Sequence, residues 1–171
     1  MNLRCRLRGL SFLCLGAVLV TGNAVAQQAG NALKDQLVGT WILVSATVER
    51  QDGSKAEIFG PNPIGIVIFD ADGHLSLQEM RSDLPKFASN DRQTGTTDEN
   101  KAIVQGLICY FGTYTLDDAA KILTFHLEGC SFPNWAGTDV KRSITLSGNE
   151  LVWTGIGSSS QPFRTIWKKA K

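Results

Sequence analysis

The longest β-prone run in the chain is Leu37 to Val48, LVGTWILVSATV, with Gly39 and Trp41 near its start. β-Branched and aromatic side chains suit a pleated, half-buried surface, and a Gly-x-Trp step lets a large ring fold back over backbone that carries no side chain. The run is predicted to form a long first strand over 39–50 and the seam on which a sheet closes. It stops at Gln51-Asp52-Gly53-Ser54, where Asp-Gly supplies the positive φ of a tight reversal. Gly60-Pro61-Asn62-Pro63-Ile64-Gly65 reads as a rigid loop. Ile64 to Phe69 then reads as a buried strand, Asp70-Ala71-Asp72-Gly73 as a hairpin turn, and His74 to Met80 as the partner strand, with Leu75 and Leu77 alternating with polar residues. Further strands follow over 108–116, 122–130, 139–147, 150–155 and 162–168, punctuated by Gly137, Ser147-Gly148-Asn149 and Gly157 to Ser160.

Two stretches break this rhythm. Residues 81–97, RSDLPKFASNDRQTGTT, form a long polar connection, and such connections tend to carry function. After it, Thr97 is placed to cap a short helix with Asp98 and Glu99 in the first turn and Ala102, Ile103 and Leu107 on one face. Eight short strands at hairpin spacing with one helix predict an all-β fold, an eight-stranded antiparallel barrel with room for one small ligand. A two-sheet sandwich is the alternative.

The first 26 residues do not fit that pattern. Arg4, Arg6 and Arg8 precede an apolar core from Leu10 to Val20 and a small-x-small site at Ala24-Val25-Ala26. That order reads as a cleaved secretory signal peptide, and the apolar run is too short for a stable membrane anchor. Cys14 follows Leu13, which disfavours lipidation. The mature chain would start at Gln27, with 27–36 a loose leader carrying a short helical turn over 31–36 and 37–171 the domain. That places the protein in the periplasm or outside the cell.

Removing residues 1–26 leaves 145 of the 171 residues, enough for one core. Taking three arginines from the 17 basic residues leaves 14 against 16 acids, a net charge of −2 and no nucleic-acid footprint. The basic end at Lys168, Lys169 and Lys171 is short enough to be a solvated tail. A monomer is expected. Cys5 and Cys14 leave with the signal, so Cys109 and Cys130 remain in an oxidising compartment. If Leu116 pairs with Leu123 across the Asp117 to Lys121 turn, Tyr114 faces Phe125 and Cys109 faces Cys130, a geometry suited to a disulfide. Two buried thiols are the alternative.

Enzyme signatures are sparse. The chain has no Gly-x-Ser-x-Gly elbow, phosphate loop, Cys-x-x-Cys or His-Glu-x-x-His, and neither a metal nor a cofactor is expected. The richest polar set lies on 122–130, where Thr124, His126 and Glu128 alternate with Leu123, Phe125 and Leu127. If the apolar face points inward, His126 and Glu128 are solvated; if the polar face does, they become a candidate acid–base pair. Pro133 and Asn134 define a turn that sets Trp135 beside Phe132, as a gate at the barrel mouth or a plug in its end. In the loop 81–97, Arg81, Lys86 and Arg92 either make ion pairs with Asp83 and Asp91 or reach a ligand. Trp41, Trp153 and Trp167 lie in strands at core spacing.

LVGTW, GPNPIG, MRSDLPKFASNDR, GTYTLDD, LTFHLEG, SFPNWAGT and IWKK, in that order, resemble the bacterial lipocalin-like domain family over residues 36–169. The resemblance implies a lipocalin-type barrel with an internal cavity and no shared reaction. Cys109 and Cys130 depart from its usual small residues. The predicted ligand contacts are Arg81, Phe87, Arg92, Tyr110, Phe132 and Trp135, for a small apolar molecule carried without reaction. The alternative is an isomerase, cyclase or hydrolase using His126 and Glu128.

Overall fold

A computed structural model describes residues 33–171; the proposed signal peptide, the cleavage site and the start of the leader lie outside the described residues. The strands are β1 (Gly39–Glu49), β2 (Lys55–Glu57), β3 (Ile64–Phe69), β4 (His74–Met80), β5 (Leu107–Asp117), β6 (Ile122–Cys130), β7 (Asp139–Ser147), β8 (Glu150–Ile156) and β9 (Pro162–Lys169). One helix, α1 (Thr97–Gly106), separates β4 from β5. Every neighbouring pair is antiparallel, and β1 pairs with both β3 and β9, so eight strands close into a barrel. The three-residue β2 is an addition on the far end of β1 that sequence patterning did not reveal.

Trp41 stands opposite Lys169 where the barrel closes, and the Lys169 ammonium lies 4.9 Å from the indole centroid, a cation–π contact. Trp41 Nε1 donates to the Leu37 carbonyl at 2.7 Å, which ties the helical segment over 33–37 to this end. Inward side chains alternate along each strand, as a pleated sheet requires. Phe69, Tyr114, Phe125, Trp153 and Trp167 fill the closed half, with ring centroids 5.0 Å apart for Phe69–Tyr114, 5.7 Å for Phe125–Trp153 and 4.8 Å for Trp153–Trp167. Such offset and edge contacts add to area burial. All three strand tryptophans are core residues.

The register between β5 and β6 starts as the sequence predicts, with Leu116 opposite Leu123 and Tyr114 opposite Phe125. It then shifts. Gly112 faces Leu127 while Phe111 faces Gly129, leaving Glu128 as the extra residue of a β-bulge. The cause is visible at Gly112, where a Cβ would stand 2.1 Å from the His126 carbonyl oxygen, so the strands approach too closely for any side chain there. One step beyond, the Phe111 ring covers Gly129.

The bulge overturns the predicted disulfide. Cys130 faces Tyr110, and Cys109 instead bonds with Ser131: its N–H donates to the side-chain Oγ of Ser131 at 2.9 Å and its carbonyl accepts from Ser131 N–H at 2.8 Å. Among the described residues Cys109 and Cys130 are free, half-buried thiols.

The helix cap also moves by one residue. Thr96, not Thr97, is the N-cap: its hydroxyl accepts from Glu99 N–H at 3.3 Å, and Glu99 Oε2 accepts from Thr96 N–H at 2.7 Å, a reciprocal capping box. Glu99 Oε1 accepts from Ala88 N–H at 2.8 Å, so one carboxylate fastens the 81–97 loop to the start of α1. These bonds hold the Glu99 carboxyl below its ordinary range, the Ala88 bond contributing most.

Candidate functional site

Where the aromatic filling of the closed half ends, the opposite half of the barrel encloses a cavity of about 420 Å³. Its mouth is shaped by Val48 at the end of β1, by Ile58 and Phe59, by Val104 and Leu107 around the end of α1, by Phe132 and Trp135, and by the β8–β9 turn at Gly157 to Ser159. Phe132 and Trp135 meet edge to face at 5.7 Å. Pro133 begins the 3-10 turn that carries Trp135, so a residue with preset φ positions the ring. The indole is half-buried and packs against the core cluster, so Trp135 is both wall and partial plug.

Deeper in, the wall becomes polar. Glu79 follows Leu75 and Leu77 in the inward row of β4, Tyr110 precedes Tyr114 on β5, and Arg142 precedes Ile144 on β7. Glu79 is 8% exposed and Arg142 only 3%. The Arg142 guanidinium lies 4.8 Å from the Phe163 ring centroid and donates through Nη1 to its neighbour Lys141's carbonyl at 2.9 Å. Gly155 on β8 leaves the space it crosses, since a Cβ there would stand 3.0 Å from Arg142 Cδ and Nη1. Glu79 Oε1 and Arg142 Nε have no hydrogen-bond partner among the described residues. Burial pushes the Glu79 carboxyl up to about 8, against a smaller downward pull from Arg142. Burial likewise holds Tyr110 well above the ordinary phenol range. A neutral acid, a phenol and a guanidinium thus share an apolar chamber.

A closed antiparallel barrel with an internal cavity is what the family resemblance implies, and the family's model matches residues 38–170 as a lipocalin-like domain. The chain belongs to the lipocalin-like domain family. One relative of this lipocalin-like chain is the 4'-hydroxy-3'-methoxypropiophenone carrier protein ppsC of Aspergillus oryzae, 28% identical over 107 residues, 56% of this chain and 96% of that protein. Among solved structures, a lipocalin-like protein from Bacteroides uniformis is 16% identical, with 79% of this chain and 99% of that one aligned at a TM-score of 0.44. A redesigned β-barrel bound to DFHBI is 17% identical, with 80% and 97% aligned at a TM-score of 0.39.

Of the residues the sequence singled out in this lipocalin-like chain, Tyr110, Phe132 and Trp135 line the cavity. Arg81, Phe87 and Arg92 do not. Arg81 makes a two-pronged pair with Asp83, both contacts at 2.8 Å, which is the ion-pair reading of the loop. Phe87 packs on Gly95, and Leu84 on Gly106, so the loop's apolar anchors are spent on the loop and the helix end. Arg92 is exposed.

His126 and Glu128 lie outside the chamber. Leu123, Phe125 and Leu127 take the inward row of β6, so the apolar-face-inward alternative describes the strand. His126 Nδ1 meets Asp139 Oδ1 at 2.7 Å on the outer face, and Glu128 is exposed in the bulge. The polar residues that do face inward, Glu79 and Arg142, are not among the predicted ligand contacts. The signal for Glu79 was its place in the Leu75, Leu77 phase; for Arg142 it was the Val140, Ile144, Leu146 phase.

Proposed function

We propose that this lipocalin-like protein is a carrier that holds a small, largely apolar molecule in the barrel cavity, without chemical change. The observation that carries the reading is the 420 Å³ chamber itself, with Phe59, Phe132, Trp135, Trp153 and Phe163 in its wall. A concave, mostly apolar site with a few converging polar groups is the usual form of a small-molecule pocket. A barrel of the lipocalin-like family and a distant relative named as a carrier support ligand binding in general. Tyr110, Phe132 and Trp135 are the proposed contacts. The position of His126 on the outer face removes the enclosed surroundings that an acid–base reaction there would need.

The test is titration with an environment-sensitive apolar fluorophore. Trp135→Ala is expected to weaken binding by about 1–3 kcal/mol, the scale of one large desolvated contact. The same substitution should destabilise the fold less than Trp41→Ala, whose ring is fully buried. Unchanged binding with equal destabilisation would make Trp135 a plug alone and remove it from the site. Export is proposed with this role, on the strength of residues 1–26; intact-mass measurement of material from the native host should find Gln27 first.

A further inference from the structure

Among the described residues, Glu79 from β4 and Arg142 from β7 line one chamber without forming an ion pair, and each keeps a buried polar atom, Oε1 and Nε, with no hydrogen-bond partner. Tyr110 stands beside Arg142 on the same wall. Both charged-type residues are more than nine-tenths buried. A buried guanidinium that pairs with no acid among the described residues is expensive unless an anion arrives.

Resting on the carrier reading, we propose that the ligand carries a carboxylate at its buried end, seated on Arg142 with Tyr110 and Glu79 as the further polar groups around it. Planar guanidinium and carboxylate groups match geometrically, and bonds between charged partners are the strong ones. The mouth sets Val104, Phe132 and Trp135 among the polar Gln105, Ser131, Ser158 and Ser159, so the remainder of the ligand is a largely hydrocarbon or aromatic body. Glu79 fits beside a carboxylate because burial keeps its proton on at neutral pH. The chamber then holds one positive charge and no negative one. The titratable neighbours are Arg142 from β7, Tyr110 and Cys109 from β5 and Cys130 from β6; burial pushes the Tyr110 phenol and the Cys109 thiol upward.

The experiment is calorimetric titration of the protein with 2-naphthoate and with methyl 2-naphthoate, which share a body and differ in charge. At pH 6.5 the acid should bind about 10- to 100-fold more tightly than the ester. As pH rises through about 8, Glu79 ionises and opposes the carboxylate, so the preference should shrink while ester affinity holds. This profile needs no variant. Arg142→Met should abolish the preference, whereas Glu79→Gln should keep it and remove its pH dependence. Equal affinity for acid and ester, or a preference that survives Arg142→Met, overturns the carboxylate assignment and leaves the carrier reading standing. Binding of neither compound overturns both.

Discussion

Replacing Glu79 with Gln should stabilise the protein at neutral pH, and the size of the effect follows from where the carboxyl sits. In the unfolded chain Glu79 releases its proton near 4.5; in the folded barrel burial keeps the proton on until about 8. Between those values the folded state binds more protons than the unfolded one, so stability falls as pH rises. The contribution is complete below 4.5 and is lost as pH climbs through 8. Each pKa unit corresponds to 1.36 kcal/mol, so the whole shift amounts to about 5 kcal/mol, of which about 3 kcal/mol is already lost at pH 7. Glutamine keeps the shape and a donor but has nothing to ionise. Urea unfolding of both proteins at intervals from pH 5 to pH 9 should show the wild-type free energy falling by about 4 kcal/mol relative to the variant. The difference between the two proteins isolates this one carboxyl. Asp52, Asp70, Asp83 and Glu99, whose pKa values are lowered by hydrogen bonds, act in the opposite sense, losing stability as pH falls, and cancel in the comparison. Parallel curves for wild type and variant would refute the reasoning, and would mean that Arg142 holds Glu79 ionised at neutral pH.

Three further outcomes follow from the fold. Gly112→Ala should cost about 3 kcal/mol in urea unfolding, because the new methyl meets the His126 carbonyl and the bulge cannot yield without losing its ladder bonds. Thr96→Ala should cost about 1 kcal/mol of stability through loss of the cap, and should raise hydrogen exchange at the Ala88 and Glu99 amides, since both belong to the Glu99-centred knot. Trp153→Ala should cost about 3–5 kcal/mol, because its ring bridges Phe69, Phe125 and Trp167 in the closed half.

What was legible in the sequence was whatever repeats with the period of a strand. Leu123-x-Phe125-x-Leu127 and Ile144-x-Leu146 carry the strand period, and the barrel follows from eight such segments and the turn residues between them, while which face of 122–130 points inward is decided only by the fold. The register through β5 and β6 was legible only as far as Gly112. A bulge leaves no periodic trace, because one unpaired residue changes phase for every position beyond it. That single step separated Cys109 from Cys130. In the loop the ion-pair alternative described Arg81, but the places of Phe87 and Leu84 were beyond reach of pattern, since the glycines on which they settle, Gly95 and Gly106, carry no hydrophobic signal of their own.

Glu79 and Arg142 evaded pattern reading for a different reason, which bears on what the barrel is for. Polarity at an inward phase looks like an outward residue unless its apolar neighbours are counted first, because folding normally excludes uncompensated charge from a core. Keeping an acid neutral beside a guanidinium with which it forms no ion pair costs the barrel about 3 kcal/mol at pH 7 from the Glu79 shift alone. A ligand present at about 100 times its dissociation constant returns about 2.7 kcal/mol. At that occupancy a bound ligand would offset a cost of this size. An apolar residue at either position would make a more stable barrel. It would also remove the one feature of the chamber that can tell a charged molecule from a neutral one of the same shape, so the strain sits where discrimination requires it.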